Sequence, residues 1–84
     1  MWGQEAAIRL GAVVREHRID RGISQEMLAR GVGISKNQMQ LIEAGRSAGA
    51  KDDARPSNPQ MSTLSGIAHV LEVSVAQLMT ESGL

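Results

Sequence analysis

The chain is 84 residues long, carries no net charge, and contains one tryptophan but no phenylalanine, tyrosine or cysteine. This length suits a single domain over residues 1–84, whose core must be built from aliphatic side chains and methionine. The lack of cysteine excludes disulfide scaffolds, thiolate metal sites and cysteine nucleophiles. The two histidines are isolated from other potential ligands, so we expect neither a metal ion nor a cofactor.

Zero net charge argues against a nucleic-acid binder, but the distribution of charge weakens that argument. Residues 30–55 hold five basic residues against three acidic ones. The positive excess therefore falls on one part of the chain, which is a weak indication of contact with nucleic acid.

The N-terminal segment does not look like a targeting signal. The stretch MWGQEAAIRLGAVV contains Glu5 and Arg9 and has no long apolar run. It is neither a signal peptide nor a membrane span, so we expect a cytoplasmic protein without membrane contact. Trp2 is expected to fold back onto the domain.

The first helix is predicted over residues 4–21 and is followed by Gly22 as a C-terminal glycine. Four side chains recur at three- and four-residue spacing and form one buried stripe. They are Leu10, Val13, Val14 and His17. We expect the histidine to be a packed side chain bonded to a backbone carbonyl, because a lone histidine on an apolar stripe is more often structural than a ligand.

A second helix is predicted to begin at Gln25, with Ser24 as its N-terminal cap. The stretch GVGIS then predicts a tight turn, in which Gly31 and Gly33 can adopt positive φ. Ser35 and Gln38 have the Ser-x-x-Gln spacing of a capping box, which restarts the chain as a third helix.

The third helix should end near residues 44–45 and present two different faces. Met39 and Ile42 point toward the core. The opposite face carries an amine, two amides and two small or apolar side chains, namely Lys36, Asn37, Gln40, Leu41 and Ala44. Amides that donate and accept together suit the edges of DNA bases, and lysine suits guanine or phosphate. An ordinary solvated helix face is the alternative.

Two further helices complete an all-α fold without a convincing strand. The fourth begins near Gln60 and places five apolar side chains on one face, namely Met61, Leu64, Ile67, Ala68 and Leu71. The fifth opens with a second Ser-x-x-Gln box, Ser74 with Gln77, and turns Val75, Leu78 and Met79 inward.

A long loop separates the third and fourth helices. Small residues, charges and two prolines mark residues 46–59 as a loop longer than usual between packed helices. Lys51 and Arg55 are candidate contacts to phosphate or the minor groove. The alternative is a disordered bulge in which Asp52 and Asp53 cancel those charges.

The order and spacing of these features resemble a known family. Gln25, Ala29 and Gly33 stand four residues apart, within and after RGISQEMLA, and IEAGR closes the third helix. Together with NPQMSTLSGIAHVLEVSVAQLM, they closely resemble the Cro/CI-type (Xre-like) helix-turn-helix family. The resemblance implies a five-helix, lambda-repressor-like DNA-binding domain whose third helix, residues 36–44, lies in the major groove. That family usually crosses from GR to NP in a few residues, so residues 47–57 are an insertion.

The resemblance also implies roles for individual residues. The implied base contacts are Lys36, Asn37, Gln40 and Leu41. The implied phosphate contacts in the matching blocks are Gln25, Gln38 and Arg46, to which the loop adds Lys51 and Arg55. Arg18 and Glu43 are implied to form a structural ion pair, which explains an acid so close to DNA.

The resemblance implies a sequence-specific DNA-binding transcriptional regulator, a repressor that binds double-stranded DNA as a homodimer. The alternative is a protein-interaction module, such as an antitoxin-like or adaptor protein, that uses the same fold to bind a protein partner. An enzyme is rejected, because the sequence contains no catalytic triad residues in a recognisable grouping, no carboxylate pair and no phosphate-binding glycine loop. The operator, the regulated genes, the choice between repression and activation, and the dimer interface are left open.

Overall fold

The computed structural model describes residues 2–47 and 56–84, and these residues form five helices. The helices are α1 Gln4–Asp20, α2 Gln25–Val32, α3 Lys36–Ala44, α4 Met61–Leu71 and α5 Val75–Glu81. No strand occurs in the two described ranges, where the one β-type pairing is an isolated bridge between Arg46 and Pro56. The predicted all-α architecture and the order of its helices are therefore confirmed.

The core lies between α1, α2, α4 and α5, with α3 packed on α1 and α2. Its fully buried side chains come from all five helices and are Leu10, Val14, Leu28, Met39, Ile67, Leu71 and Leu78. The two from α1, Leu10 and Val14, and the two from α4, Ile67 and Leu71, are four positions apart, which is a spacing that puts side chains on one helical face.

The turn between α2 and α3 contains one glycine with positive φ, Gly33, and not the two that the sequence predicts. The Ser24 hydroxyl accepts a hydrogen bond from the Met27 amide at 3.0 Å and caps α2 as predicted. Gly33 adopts φ +89°, and the amides of Gly33 and Ile34 both donate to the Ala29 carbonyl. The prediction that Gly31 frames the turn is wrong. Gly31 lies inside α2, because a single left-handed residue after the helix is enough to end it.

The start and end of α3 are as predicted. Ser35 and Gln38 form a complete capping box, in which the Ser35 hydroxyl accepts from the Gln38 amide at 3.0 Å and the Gln38 side chain accepts from the Ser35 amide at 3.2 Å. Gly45 ends the helix with φ +74°. The predicted end of α1 is late by one residue, since Arg21 is the residue that follows the last helical position.

Two predictions for α4 and α5 need correction. Met61 is predicted on the apolar, inward face of α4, but it is 64% exposed. It is the first residue of α4, and helical side chains tilt toward the N-terminus, so it projects past the packed part of the helix. The second capping box is incomplete. Ser74 accepts from the Gln77 amide, but the Gln77 side chain donates to Glu81 instead of returning to Ser74.

The two ends of the inserted loop are held together by the fold. The Ser57 amide donates to the Gly45 carbonyl at 3.1 Å, next to the bridge between Arg46 and Pro56. The Trp2 indole donates to the Ser57 carbonyl at 2.7 Å, so the tryptophan does fold back onto the domain. Ser57 is buried. Ser57, the last residue of the insertion predicted over residues 47–57, is therefore fixed to the framework of the domain.

The partner predicted for His17 is also wrong. Its Nε2 hydrogen-bonds with the Glu81 carboxylate at 2.8 Å, and not with a backbone carbonyl. Backbone carbonyls inside a helix are already used by the helix itself, whereas α5 brings a carboxylate to this position. His69 lies exposed on α4. Among the described residues, no helix combines the length and apolar character needed to cross a bilayer.

Candidate nucleic-acid interface

Helix α3 is buried on one side and open on the other. Met39 is fully buried and Ile42 is 8% exposed, and both pack into the main hydrophobic cluster. Lys36, Asn37 and Gln40 are exposed on the opposite side. The only acid of α3, Glu43, is turned inward and is 8% exposed. The open side of α3 therefore presents one cation and two carboxamides without a negative charge.

Leu41 differs from the other predicted base contacts because it is only half-exposed. It lines an open cleft of about 330 Å³ between α3 and the start of α4, together with Ile34 and Pro59. The cleft also holds three polar residues that the sequence did not single out, namely Asn58, Gln60 and Thr63. The signal for them lies in the stretch NPQMST, which begins the second block that resembles the helix-turn-helix family.

Gln38 and Gln25 are two predicted phosphate contacts whose amides already have partners in the fold. The Gln38 carbonyl oxygen accepts from the Ser35 amide. The Gln25 amide donates to the Glu43 carboxylate at 3.1 Å, and Gln25 is half-buried at the first position of α2. Each carboxamide has further donor and acceptor positions, so these bonds orient the side chains without using all their capacity.

Glu43 lies at the centre of a polar cluster that joins three helices. Its carboxylate accepts from Arg18 of α1 through Nε at 2.7 Å and through Nη2 at 3.1 Å, which is a bidentate pair. Arg18 also donates to the Ile23 carbonyl at 2.9 Å. Only 12% of the Arg18 side chain and 3% of the Glu43 side chain are exposed. With Gln25 added, α1, α2 and α3 are fixed to one another by charge-assisted bonds, which are the stronger class.

The remaining predicted phosphate contacts follow α3 along the chain. Arg46 is half-buried beside the cleft and takes part in the bridge to Pro56. Lys51 and Arg55 lie outside the described residues. Within the residues that the structure describes, no group of three histidine, aspartate or glutamate side chains is arranged to hold a metal ion.

The arrangement suits recognition of a polar, anionic surface more than chemistry on a small molecule. Asparagine and glutamine can form paired hydrogen bonds with adenine, and lysine can reach guanine or phosphate. A single helix of nine residues, raised on a short turn, has the dimensions that fit a major groove. The acid-free open side and the three-helix cluster behind it are therefore the two features that define this candidate interface.

Comparison with known proteins gives matches that cover most of the chain. Residues 9–79 match the family model described as a helix-turn-helix domain. The cryptic phage CTXphi transcriptional repressor RstR of Vibrio cholerae is 28% identical over 69 residues, which cover 82% of this chain and 53% of the repressor. This chain thus spans about half the length of the curated relative that it matches.

Solved structures of similar shape are regulators. The clp gene regulator ClgR of Corynebacterium glutamicum has a TM-score of 0.78 at 26% identity, covering 93% of this chain and 72% of that chain. SinR, the master regulator for biofilm formation, was solved in complex with DNA; its TM-score is 0.69 at 27% identity, covering 83% of this chain and 97% of that chain. Its N-terminal DNA-binding domain from Bacillus subtilis is also similar.

These comparisons agree with the geometry of the helices. The resemblance to Cro/CI-type regulators and the five-helix, lambda-repressor-like fold of the described residues are both confirmed. The matched region includes α2, the turn at Gly33 and α3. With a match over residues 9–79, this chain belongs to the helix-turn-helix domain family.

Proposed function

We propose that this protein is a sequence-specific DNA-binding regulator of transcription, a repressor that reads the major groove with α3. The observation that carries the proposal is the open side of α3, where Lys36, Asn37 and Gln40 are exposed and the only acid is turned away. The names of similar proteins support the same function, since one is a transcriptional repressor and another was solved with DNA. The proposal assigns the chain no catalytic activity.

Base readout is assigned to Lys36, Asn37, Gln40 and Leu41. The first three are exposed, and the half-exposed Leu41 can offer an apolar contact to a thymine methyl at the edge of the cleft. Phosphate contacts are assigned to Gln25, Gln38, Arg46, Lys51 and Arg55. Phosphate contacts fix the register of the protein on the duplex, whereas base contacts carry the sequence information.

We further propose that two copies bind one site. One short helix offers few base contacts, and a dimer on a two-fold-related site doubles them. The two half-sites would then lie about 34 Å apart, one turn of the duplex. A selected site with two-fold symmetry would support the dimer, and a single asymmetric half-site would contradict it.

The experiment that tests the function is selection of bound sites from random DNA, followed by binding measurements with two α3 variants. Asn37→Ala and Gln40→Ala should each lose about 1–3 kcal/mol of discrimination at one base pair, because each removes a paired contact. Gln4→Ala, which removes an exposed amide on α1, is the matched control and should leave binding unchanged. If the wild type selects no site, the proposed function is wrong. If the α3 variants weaken binding equally on all sequences, only the assignment of base readers is wrong.

A protein-interaction module remains the second candidate. Zero net charge favours it, since DNA binding is driven largely by cationic contacts. One similar protein, SinR, was also solved in a complex with the protein SinI. Co-purification of a protein partner whose binding is blocked by substitutions on the open side of α3, without selective DNA binding, would support this alternative.

A further inference from the structure

The backbone of α1 touches the backbone of α3 directly, with no side chain between them. A Cβ atom built on Gly11 would lie 2.4 Å from the Ile42 carbonyl oxygen and 2.6 Å from the Glu43 carbonyl oxygen. Real Cβ atoms essentially never approach a heavy atom from another part of the chain closer than 3.0 Å. The atoms in the way belong to the backbone, so they cannot turn aside as a flexible side chain would.

The presence of a glycine at this position is not explained by the helix. Gly11 lies within α1, which spans 17 residues, and glycine is the least favourable residue in a helix interior after proline. Alanine would suit the interior of α1 better than glycine does. The backbone at Gly11 does not have the positive φ that would require a glycine. What glycine provides here is the absence of a side chain where α3 passes.

A second close contact lies next to the first. A Cβ atom on Gly45, the residue that ends α3, would lie 2.7 Å from the Cα atom of Ile8 in α1. The C-terminal end of α3 is therefore pressed against α1 at two points, Gly11 and Gly45. The side chain of Glu43, in the same turn of α3, is held by Arg18 and Gln25.

We propose that Gly11 is a positioning residue for base readout: it sets how closely the C-terminal end of α3 lies on α1, and so the angle at which α3 is presented to DNA. This proposal rests on the proposed function and deepens it. Gly11 touches no base. It acts through the backbone of residues 42 and 43, at the opposite end of α3 from Lys36 and Asn37.

The size of the displacement shows why this contact matters for binding. Relieving the shortest distance from 2.4 to 3.0 Å requires a shift of about 0.6 Å. Binding constellations must be held to within about 0.5 Å of their productive geometry. The N-terminal end of α3 is held by the turn at Gly33 and the cap at Ser35, so a shift at the other end tilts the helix. The tilt moves the base-reading side chains relative to the groove.

The test compares Gly11→Ala with Gly66→Ala in the intact chain. Both replace a glycine inside a helix, but the atoms nearest to a Cβ atom on Gly66 belong to Val32 of α2, the closest at 3.1 Å, and not to the backbone of α3. Affinities for the selected DNA site and for its single-base variants are measured below the unfolding temperature of each protein. Gly11→Ala should lower the ratio of specific to non-specific affinity about tenfold, while Gly66→Ala should keep that ratio.

Ile8→Ala keeps the proposal testable should Gly11→Ala fail to fold. Ile8 is 48% exposed, so trimming it costs little stability. The substitution removes Cγ1, the Ile8 side-chain atom nearest to Gly45, and leaves the backbone contact between the two residues in place. It should reduce discrimination in the same direction by a smaller factor. Unchanged specificity ratios in Gly11→Ala, or in Ile8→Ala when the first variant is unfolded, overturn the proposal while the function stands. A wild-type protein without site preference overturns both.

Discussion

Glu43 is the residue on which the position of α3 most depends, because it is an acid buried between three helices. A buried charge is tolerated only when it is paired and hydrogen-bonded. Arg18 provides a bidentate pair and Gln25 a third bond, so the carboxylate is satisfied without solvent. The pair implied by the family resemblance is present in the structure. Its bond to Gln25 could not be read from the sequence, since the two residues are 18 positions apart.

Removing one partner of this pair should be far more damaging than removing both. Arg18→Met leaves Glu43 buried without its cation and should lower the free energy of unfolding by about 3–5 kcal/mol. Urea denaturation measures the loss. The double variant Arg18→Met with Glu43→Leu should recover most of that loss, because no unpaired charge remains. A cost of less than about 1 kcal/mol for Arg18→Met would mean that the pair behaves like a solvated surface pair.

The hydrogen bonds that Glu81 accepts from Gln77 and His17 give stability a dependence on pH. Hydrogen bonds from Gln77 and then from His17 hold the pKa of the Glu81 carboxyl below its usual value of 4.5. Because the folded state favours the deprotonated form, this contribution is present above pH 4.5 and is lost as the pH falls through the lowered pKa. Glu81→Gln should therefore lower the melting temperature at neutral pH, and the difference from wild type should shrink in acid.

The matched control for the pH experiment is Glu16→Gln, which removes another exposed carboxylate but lies on α1. Thermal unfolding of the three proteins is followed between about pH 3 and pH 7, the range over which carboxylates titrate. The difference between wild type and Glu81→Gln should vary with pH more than the difference for Glu16→Gln. Equal pH profiles for the two variants would contradict the role of the contact.

At the scale of whole helices, the sequence predicted the caps well because caps are local. A serine and the amide three residues later lie in the same turn, and a left-handed glycine needs only its own backbone. Ser24, Ser35 and Gly33 are therefore where the sequence put them. Gly31 and Met61 were misplaced. The Gly31 error concerns the length of the turn, because the single left-handed residue Gly33 is enough to end α2. The Met61 error concerns packing between helices, because Met61 projects beyond its neighbours.

Ser35 and Ser74 are both predicted to begin capping boxes, but only the box of Ser35 is complete. Ser35 should therefore contribute more to stability than Ser74. Ser35→Ala should lower the free energy of unfolding by about 1 kcal/mol, since it leaves an amide at the start of α3 without its acceptor. DNA binding should also weaken, because the base-reading end of α3 frays. Denaturant titration and binding to the selected site are measured together. Ser65→Ala, at an exposed position inside α4, is the control and should change neither. A Ser35→Ala protein with wild-type stability would mean that the cap is dispensable.

For the whole molecule, the open question is how a chain without net charge binds a polyanion. Lys51 and Arg55, which lie outside the described residues, are proposed as two of the cations that contact phosphates. The slope of log affinity against log salt concentration changes by about 0.9 for each phosphate contact. Replacing residues 48–55 by two glycines should therefore reduce the magnitude of the slope by about 2 if both cations contact phosphates.

The design of this deletion follows from the structure of the loop ends. Arg46 and Pro56 are bridged, and Ser57 is bonded to Gly45 and Trp2, so residues 47 and 56 can be joined by a short turn. Removing Ser57 as well would disrupt the framework. The variant Lys51→Gln with Arg55→Gln keeps the length of the loop and separates the effect of charge from that of deletion. An unchanged slope in both variants removes the loop from the DNA interface.

The sequence by itself determined where the helices begin and end, which face of α3 is open, and which family the chain resembles. These depend on residues within one or two turns of each other, where spacing carries the information. Tertiary structure alone decided that His17 pairs with Glu81, 64 positions away, and that Trp2 bonds to Ser57, 55 positions away. It also decided that Gly11 lies against the backbone of α3. The reason is physical: the distances and angles between packed helices set these contacts, and the periodicity of a single helix does not contain them.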